Sequence, residues 1–267
     1  MYNAVKEIFS NIKLLVSLVK REISLKYKGS IGGSAWAILM PLCMLVIYTF
    51  VFSHIFKAKW GAQGYDAPKS EFALILFIGI IAYNFFSECI TRSPTIITSN
   101  PNYVKKVVFP LGILPIVYVL SACFNMVLTI FIWLVGYIFI SGMPHLTLIY
   151  LPLVILPLLI FSLGTSYLLA SLGTYIKDIN QLTGLIATAL MFLSPIFYPI
   201  SAIPEAFRSI MQINPLTPAV EEMRSVMYFG NSISWELFLK SFLISLVFFV
   251  LSFVFYSKTK KGFADVL

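Results

Sequence analysis

The sequence predicts an all-α protein that crosses a membrane several times, and two observations carry that reading. Hydrophobic residues make up 59% of the 267 and charged residues only 11%, with a mean hydropathy of +0.91, whereas a soluble domain needs about 25% charged residues to cover its surface. The charges also stand apart from the apolar runs: residues 29–56 and 107–176 contain no Asp, Glu, Lys or Arg. Runs of roughly 20 apolar residues are what a hydrocarbon core asks of a helix, because lipid offers the backbone no hydrogen-bond partners. We expect six transmembrane helices, an N-terminal amphipathic interface helix, and short external re-entrant helices ahead of the last span.

Val5, Ile8, Phe9, Ile12, Val16, Val19 and Ile23 recur at helical spacing, with Lys6, Lys13 and Lys20 on other faces. Such a helix lies in the membrane plane with its lysines toward anionic headgroups. The pattern fits a simple anchor and a docking face for a cytoplasmic partner equally well. Because Lys6, Glu7 and Lys13 interrupt its apolar residues, we expect no signal peptide here. Lys20, Arg21, Lys26 and Lys28 then lead into the first apolar run, the mark of a cytoplasmic entrance to a first span.

That span is expected at residues 34–56, bent at Pro41 and rich in aromatics: Trp36, Tyr48, Phe50, Phe52 and Phe56. A short external loop follows, then a second span at 72–89. Its Glu88 belongs near the inner edge, since a carboxylate at mid-bilayer costs about 2.5–3.5 kcal/mol. Residues 90–110 form a cytoplasmic loop in which Ser93-Pro94 and Asn100-Pro101 each read as an N-cap followed by proline at the first helical position. Lys105 and Lys106 close it as a cationic flank, and a loop this elaborate is expected to touch something.

The charge-free stretch after it is too long for one span. Ser141-Gly142-Met143-Pro144-His145 supplies a turn, giving spans at 111–140 and 146–175. The charged pair Lys177-Asp178 precedes a fifth span at 182–199, whose end, Ser194-Pro195-Ile196-Phe197-Tyr198-Pro199, breaks the helix twice. Irregular backbone at such depth is tolerated only beside protein or a water-filled cavity, so this segment should border a pathway or an interface. Residues 200–240 form an external loop with two short helices separated at Asn214-Pro215, and the sixth span, 241–256, ends at Lys258, Lys260 and Lys261. With six spans and both termini inside, 13 of the 19 Lys and Arg are cytoplasmic and 6 external, which satisfies the positive-inside rule.

The chain contains no GxxxxGK[ST], HExxH or GxSxG sequence. With only His54 and His145 as histidines and three cysteines, Cys43, Cys89 and Cys123, in unpaired spacing, we assign no catalytic residue and no metal site. The net charge of +8 is spread along membrane flanks rather than gathered into a nucleic-acid stripe. Energy for any uphill work must come from elsewhere. An exporter subunit, a motorless channel and an integral-membrane enzyme acting on lipid headgroups all stay open, the last with only Glu88, Arg92, Lys177 and Asp178 to work with on the inner side.

In order and spacing, the residues resemble the membrane permeases of ABC-type polysaccharide exporters, which move O-antigen, capsule or teichoic acid chains. The likeness runs through Lys26-Tyr27-Lys28-Gly29-Ser30, Gly32, Trp36 and Pro41-Leu42. It continues in Lys105-Lys106 before Phe109-Pro110, Pro115, Lys177-Asp178, the Ser-Pro-x-x-Tyr at Ser194 to Tyr198, Asn214-Pro215 and Arg224. This chain departs from the pattern with Ile31-Gly32-Gly33 in place of Leu-Gly and Lys177 in place of Arg.

The resemblance implies a non-catalytic half-transporter in the bacterial cytoplasmic membrane, working with a second copy of itself and two copies of a separate ABC ATPase. The partner would bind ATP and Mg, and this chain no cofactor of its own. Its cargo would be a lipid-linked glycan, O-antigen in the first instance; related permeases for capsule, teichoic acid, or a small lipid or drug are the neighbouring possibilities. The resemblance gives an interface role to Lys13, Lys20, Arg21, Lys26, Tyr27 and Lys28, and ATPase coupling to Ser93, Thr98, Asn100, Asn102, Tyr103, Lys105 and Lys106. Trp36, Tyr48, Phe52, Phe192, Ser194, Phe197 and Tyr198 fall on the translocation path, where aromatic faces suit sugar C–H surfaces as well as they suit packing. Lys177, Asp178, Glu221 and Arg224 become structural or gating charges.

Overall fold

The computed structural model describes residues 11–28, 32–51, 69–105 and 109–266, and every regular element among them is helical. In chain order the helices are α1 (Ile12–Tyr27), α2 (Trp36–Phe50), α3 (Lys69–Arg92), α4 (Pro101–Lys105), α5 (Ile113–Ser141), α6 (Leu151–Tyr175), α7 (Ile179–Leu193), α8 (Glu205–Ile213), α9 (Leu216–Met227), α10 (Trp235–Thr259) and α11 (Phe263–Val266). The stretches built on α3, α5, α6 and α10 are long and apolar enough to cross a membrane, and α2 and α7 are shorter apolar helices. This is an all-helical polytopic membrane protein.

Helix α3 is the axis. Within its apolar stretch 78% of residues are buried, against 33% or less for the other three long helices. Residues 72–82 are covered on every side, because α2, α5, α6, α7 and α9 all pack on this one helix. The element that organises the bundle is therefore one whose sequence differs little from any other apolar span. Helices α6 and α10 form the most extensive pair, with Phe161 stacked on Phe248 at 4.4 Å between ring centroids and Ser245 and Ser252 buried. Small side chains let helices approach closely where lipid leaves little hydrophobic drive.

Three local readings change. Helix α3 runs on to Arg92, so the connecting segment starts later than residue 90. Ser93 is not an N-cap: the helix passes directly into a 3-10 turn, Ser93–Thr95, in which the Ser93 hydroxyl makes no cap bond. Finally, the break expected within Ser194 to Pro199 is present, but it falls at the start of that segment: α7 ends at Leu193, short of the span limit drawn at Pro199, with Ser194 extended (φ −108°, ψ 150°). Fifteen residues rise only about 22 Å at 1.5 Å each, short of a hydrocarbon core about 30 Å thick. After the break, α9 buries most of its residues against α3 and α6. The predicted turn after α5 is present, with Gly142 at φ 88° ending the helix.

Candidate functional site

Two polar constellations stand at opposite ends of α3. At the α1 end, Lys26 of α1 pairs with the Glu88 carboxylate, and Arg92, one turn further along α3, pairs with Glu22 of α1 and reaches Glu88 at 3.3 Å. Asn125 of α5 donates to the other Glu88 oxygen at 3.0 Å and accepts from the Tyr27 hydroxyl at 3.0 Å. Burial, with Glu88 nearby, pushes the Tyr27 phenol up, which keeps it protonated as that donor. Arg21 donates to the Tyr103 hydroxyl at 2.8 Å, and Arg92 lies over the Tyr118 ring. Helices α1, α3 and α5 are thus joined by half-buried polar bonds, which hold geometry better than exposed pairs because water screens them less, and α4 is tied to α1 by the exposed Arg21–Tyr103 bond.

Beside this joint, the turn after α3 is seated on α6. Ser93 donates to the Cys89 carbonyl and shares a hydroxyl–hydroxyl hydrogen bond with Ser166 of α6 at 2.8 Å, and Ile96 and Ile97 are wholly buried. Gly173 of α6 makes the seat possible, since a Cβ there would lie 2.3 Å from the Pro94 carbonyl oxygen and 2.5 Å from its Cα. Asn100 donates to the Ile96 carbonyl at 2.9 Å, Thr98 to the Thr95 carbonyl at 3.2 Å, and Tyr103 stacks on Phe109 at 4.4 Å.

At the far end, Arg224 of α9 is 1% exposed. Its guanidinium donates to the carbonyls of Ile75 on α3 at 3.1 Å, of Pro195 and of Ile196 at 2.6 Å, and meets the Glu221 carboxylate at 3.4 Å. Gly79 of α3 leaves room for it: a Cβ there would stand 2.8 Å from Nη2 and 3.2 Å from the Ile196 Cα. A planar fork with five donors can serve carbonyls on separate segments, and an ammonium cannot match that geometry. Asn214 completes the clamp, donating to Ser194 Oγ at 2.8 Å and to the Leu193 carbonyl at 3.2 Å, while its own oxygen accepts from the Leu216 N–H.

The residues singled out in sequence divide between these places. Arg21, Lys26, Tyr27, Ser93, Asn100 and Tyr103 enter the joint and its seated turn; Thr98 is half-buried, while Lys13, Lys20, Lys28, Asn102 and Lys105 face outward. Phe192, Phe197 and Tyr198 gather at the break after α7: the two phenylalanine rings are 6.2 Å apart, and the Tyr198 hydroxyl donates to the Phe192 carbonyl at 2.6 Å. Ser194 is buried beneath them. Trp36 is exposed and Tyr48 half-buried on α2, which flanks α3 as α7 does. Lys177 and Asp178 are exposed in the turn before α7 and make no ion pair among the described residues. Lys106 and Phe52 lie outside the described residues.

Sequence reasoning passed over Glu22 and Asn125, and set Glu88 and Arg92 at a membrane edge without pairing them. The available signal was a lone acid in a basic helix and an acid–base pair four residues apart at the end of an apolar one. Among the described residues no group of His, Cys, Asp and Glu could hold a metal. The arrangement holds separate backbone segments together.

A family model described as ABC-2 type transporter matches residues 13–228. The chain belongs to that family. The match takes in the joint, the seated turn and Arg224, while α10 of this ABC-2 transporter lies beyond it. Relatives include an "O-antigen export system permease protein RfbA" of Klebsiella pneumoniae, 24% identical over 256 residues and covering 95% of both chains. Another protein of that description, from Myxococcus xanthus, is 27% identical over 230 residues, 85% of each chain. The "Polysialic acid transport protein KpsM" of Escherichia coli is 26% identical over 220 residues, 80% of this chain and 81% of its own.

Proposed function

We propose that this chain is the membrane-spanning subunit of an ATP-driven exporter that moves a lipid-linked polysaccharide, O-antigen in the first instance, across the bacterial cytoplasmic membrane. The observation that carries the reading is the near full-length similarity to permeases named for O-antigen and polysialic acid export. In this reading two copies work with two copies of a separate ATPase, which binds ATP and Mg, and both termini lie in the cytoplasm.

The geometry supplies a mechanism. Helix α1 and the outward-facing Asn102 and Lys105 would receive the partner's movement. The joint passes that movement to α3, because Lys26, Glu22, Glu88 and Arg92 make α1 and the end of α3 one body. From Glu88 to Ile75 is about 20 Å of helix at 1.5 Å per residue, and at Ile75 the Arg224 fork ties α3 to Pro195 and Ile196. Rocking α3 at one face therefore shifts the α7 break at the other, where Phe192, Phe197 and Tyr198 cluster. Towards its α1 end α3 also opens a polar stripe, Tyr83, Asn84 and Ser87, whose amide and hydroxyl groups suit a glycan's hydroxyls.

Replacing Lys105 and Lys106 together by Glu tests the coupling surface. Export of surface polysaccharide should fall at least tenfold while the protein still inserts and reaches normal membrane levels; normal export would count against the assignment.

A further inference from the structure

A cavity of about 460 Å³ opens between α8, α9 and the start of α10, with Glu221, Glu236, Lys240, Gln212, Leu237 and Ile244 among its walls. Its depth follows from α10. Trp235 is exposed, Glu236 and Lys240 occupy the first turns, and residues 241–257 carry no charge, so the helix enters hydrocarbon just past Lys240. The cavity sits at headgroup level, at the end of the bundle away from α1, and its wall runs onto apolar Leu237 and Ile244.

The wall's charges are mixed. Glu236 and Lys240 are exposed one turn apart and form no ion pair among the described residues, and the half-buried Glu221 carboxylate meets Arg224 at 3.4 Å. A lone anion would face two carboxylates, and a lone cation would face Lys240. A molecule carrying both signs on an apolar tail satisfies all three groups. Among the described residues no aromatic ring lines the cavity, which disfavours a quaternary ammonium, since that group is held by aromatic faces. A primary ammonium, with three N–H donors, is suited to carboxylates instead.

We propose that this cavity binds a phosphatidylethanolamine headgroup, its ammonium donating to Glu221 and Glu236 and its phosphate accepting from Lys240. A lipid held there braces α9 against α10 beside the Arg224 clamp. The leaflet follows from the topology proposed above, and the binding chemistry is independent of the exported cargo.

The full chain, purified in detergent, is incubated with equal amounts of dioleoyl phosphatidylethanolamine, phosphatidylcholine and phosphatidylglycerol, and the retained lipid is read by native mass spectrometry. Phosphatidylethanolamine should be retained about tenfold over either competitor, the scale of one charge-assisted hydrogen bond. Glu236→Gln with Lys240→Gln should abolish that preference without lowering the melting temperature, both side chains being exposed; if the double variant melts lower, Glu236→Gln alone is read the same way. Equal retention of the three lipids, preference for either competitor, or an ethanolamine preference that survives substitution would each overturn the site.

Discussion

Arg224 shows how much one side chain can fix. It serves three backbone carbonyls on two segments from a position with almost no access to solvent, so truncating it would strand buried acceptors as well as remove bonds. Even Arg224→Lys keeps the charge but loses the fork, leaving at least one carbonyl unserved at a cost of about 1–3 kcal/mol. The melting temperature of the purified chain should fall, and export should fall with it; an unchanged melting temperature would show that the carbonyls find other donors. The family resemblance already implied a structural or gating role for Arg224. It could not name the partners, because Ile75 and Ile196 contribute through their backbones and carry side chains typical of any apolar span. Glu88 is the converse case: its side chain announced a cost, and only the fold supplied Lys26 and Asn125 to meet it.

At the scale of elements, the connection between α3 and α5 acts as a fitted part rather than a free loop. The Pro94 turn rests on Gly173 with no room for a methyl group, so Gly173→Ala must push the turn off α6, and overpacking of that kind costs about 1–3 kcal/mol. Gly112→Ala is the control, since a Cβ there meets nothing within 4 Å. The first substitution should impair export and increase proteolysis between α3 and α5, and the second should do neither; equal behaviour of the two would remove the seat from the mechanism. Helix periods and turn residues made α5, α6 and the Gly142 turn legible from sequence. The Ser93 hydroxyl was misread because the same residue type that caps a helix also bonds back to its own preceding turn, and only Ser166, 73 residues away, decides between those uses.

Across the whole molecule, the same helix that carries the charged joint carries the clamp, and among the described residues α3 is the long apolar helix covered on nearly every side. Composition made the membrane class plain, yet it could not single out α3, since centrality comes from how many neighbours a helix has and not from how apolar it is. If α3 relays an external motor's work to a glycan path, the glycan must depend on this chain to leave the cytoplasm. The direct measurement is the location of polysaccharide in bacteria from which this chain has been deleted and then restored. On deletion, surface polysaccharide should disappear and lipid-linked polymer accumulate in the cytoplasm, and restoring the chain should reverse both. Surface polysaccharide that stays at its normal level without the chain would contradict that dependence.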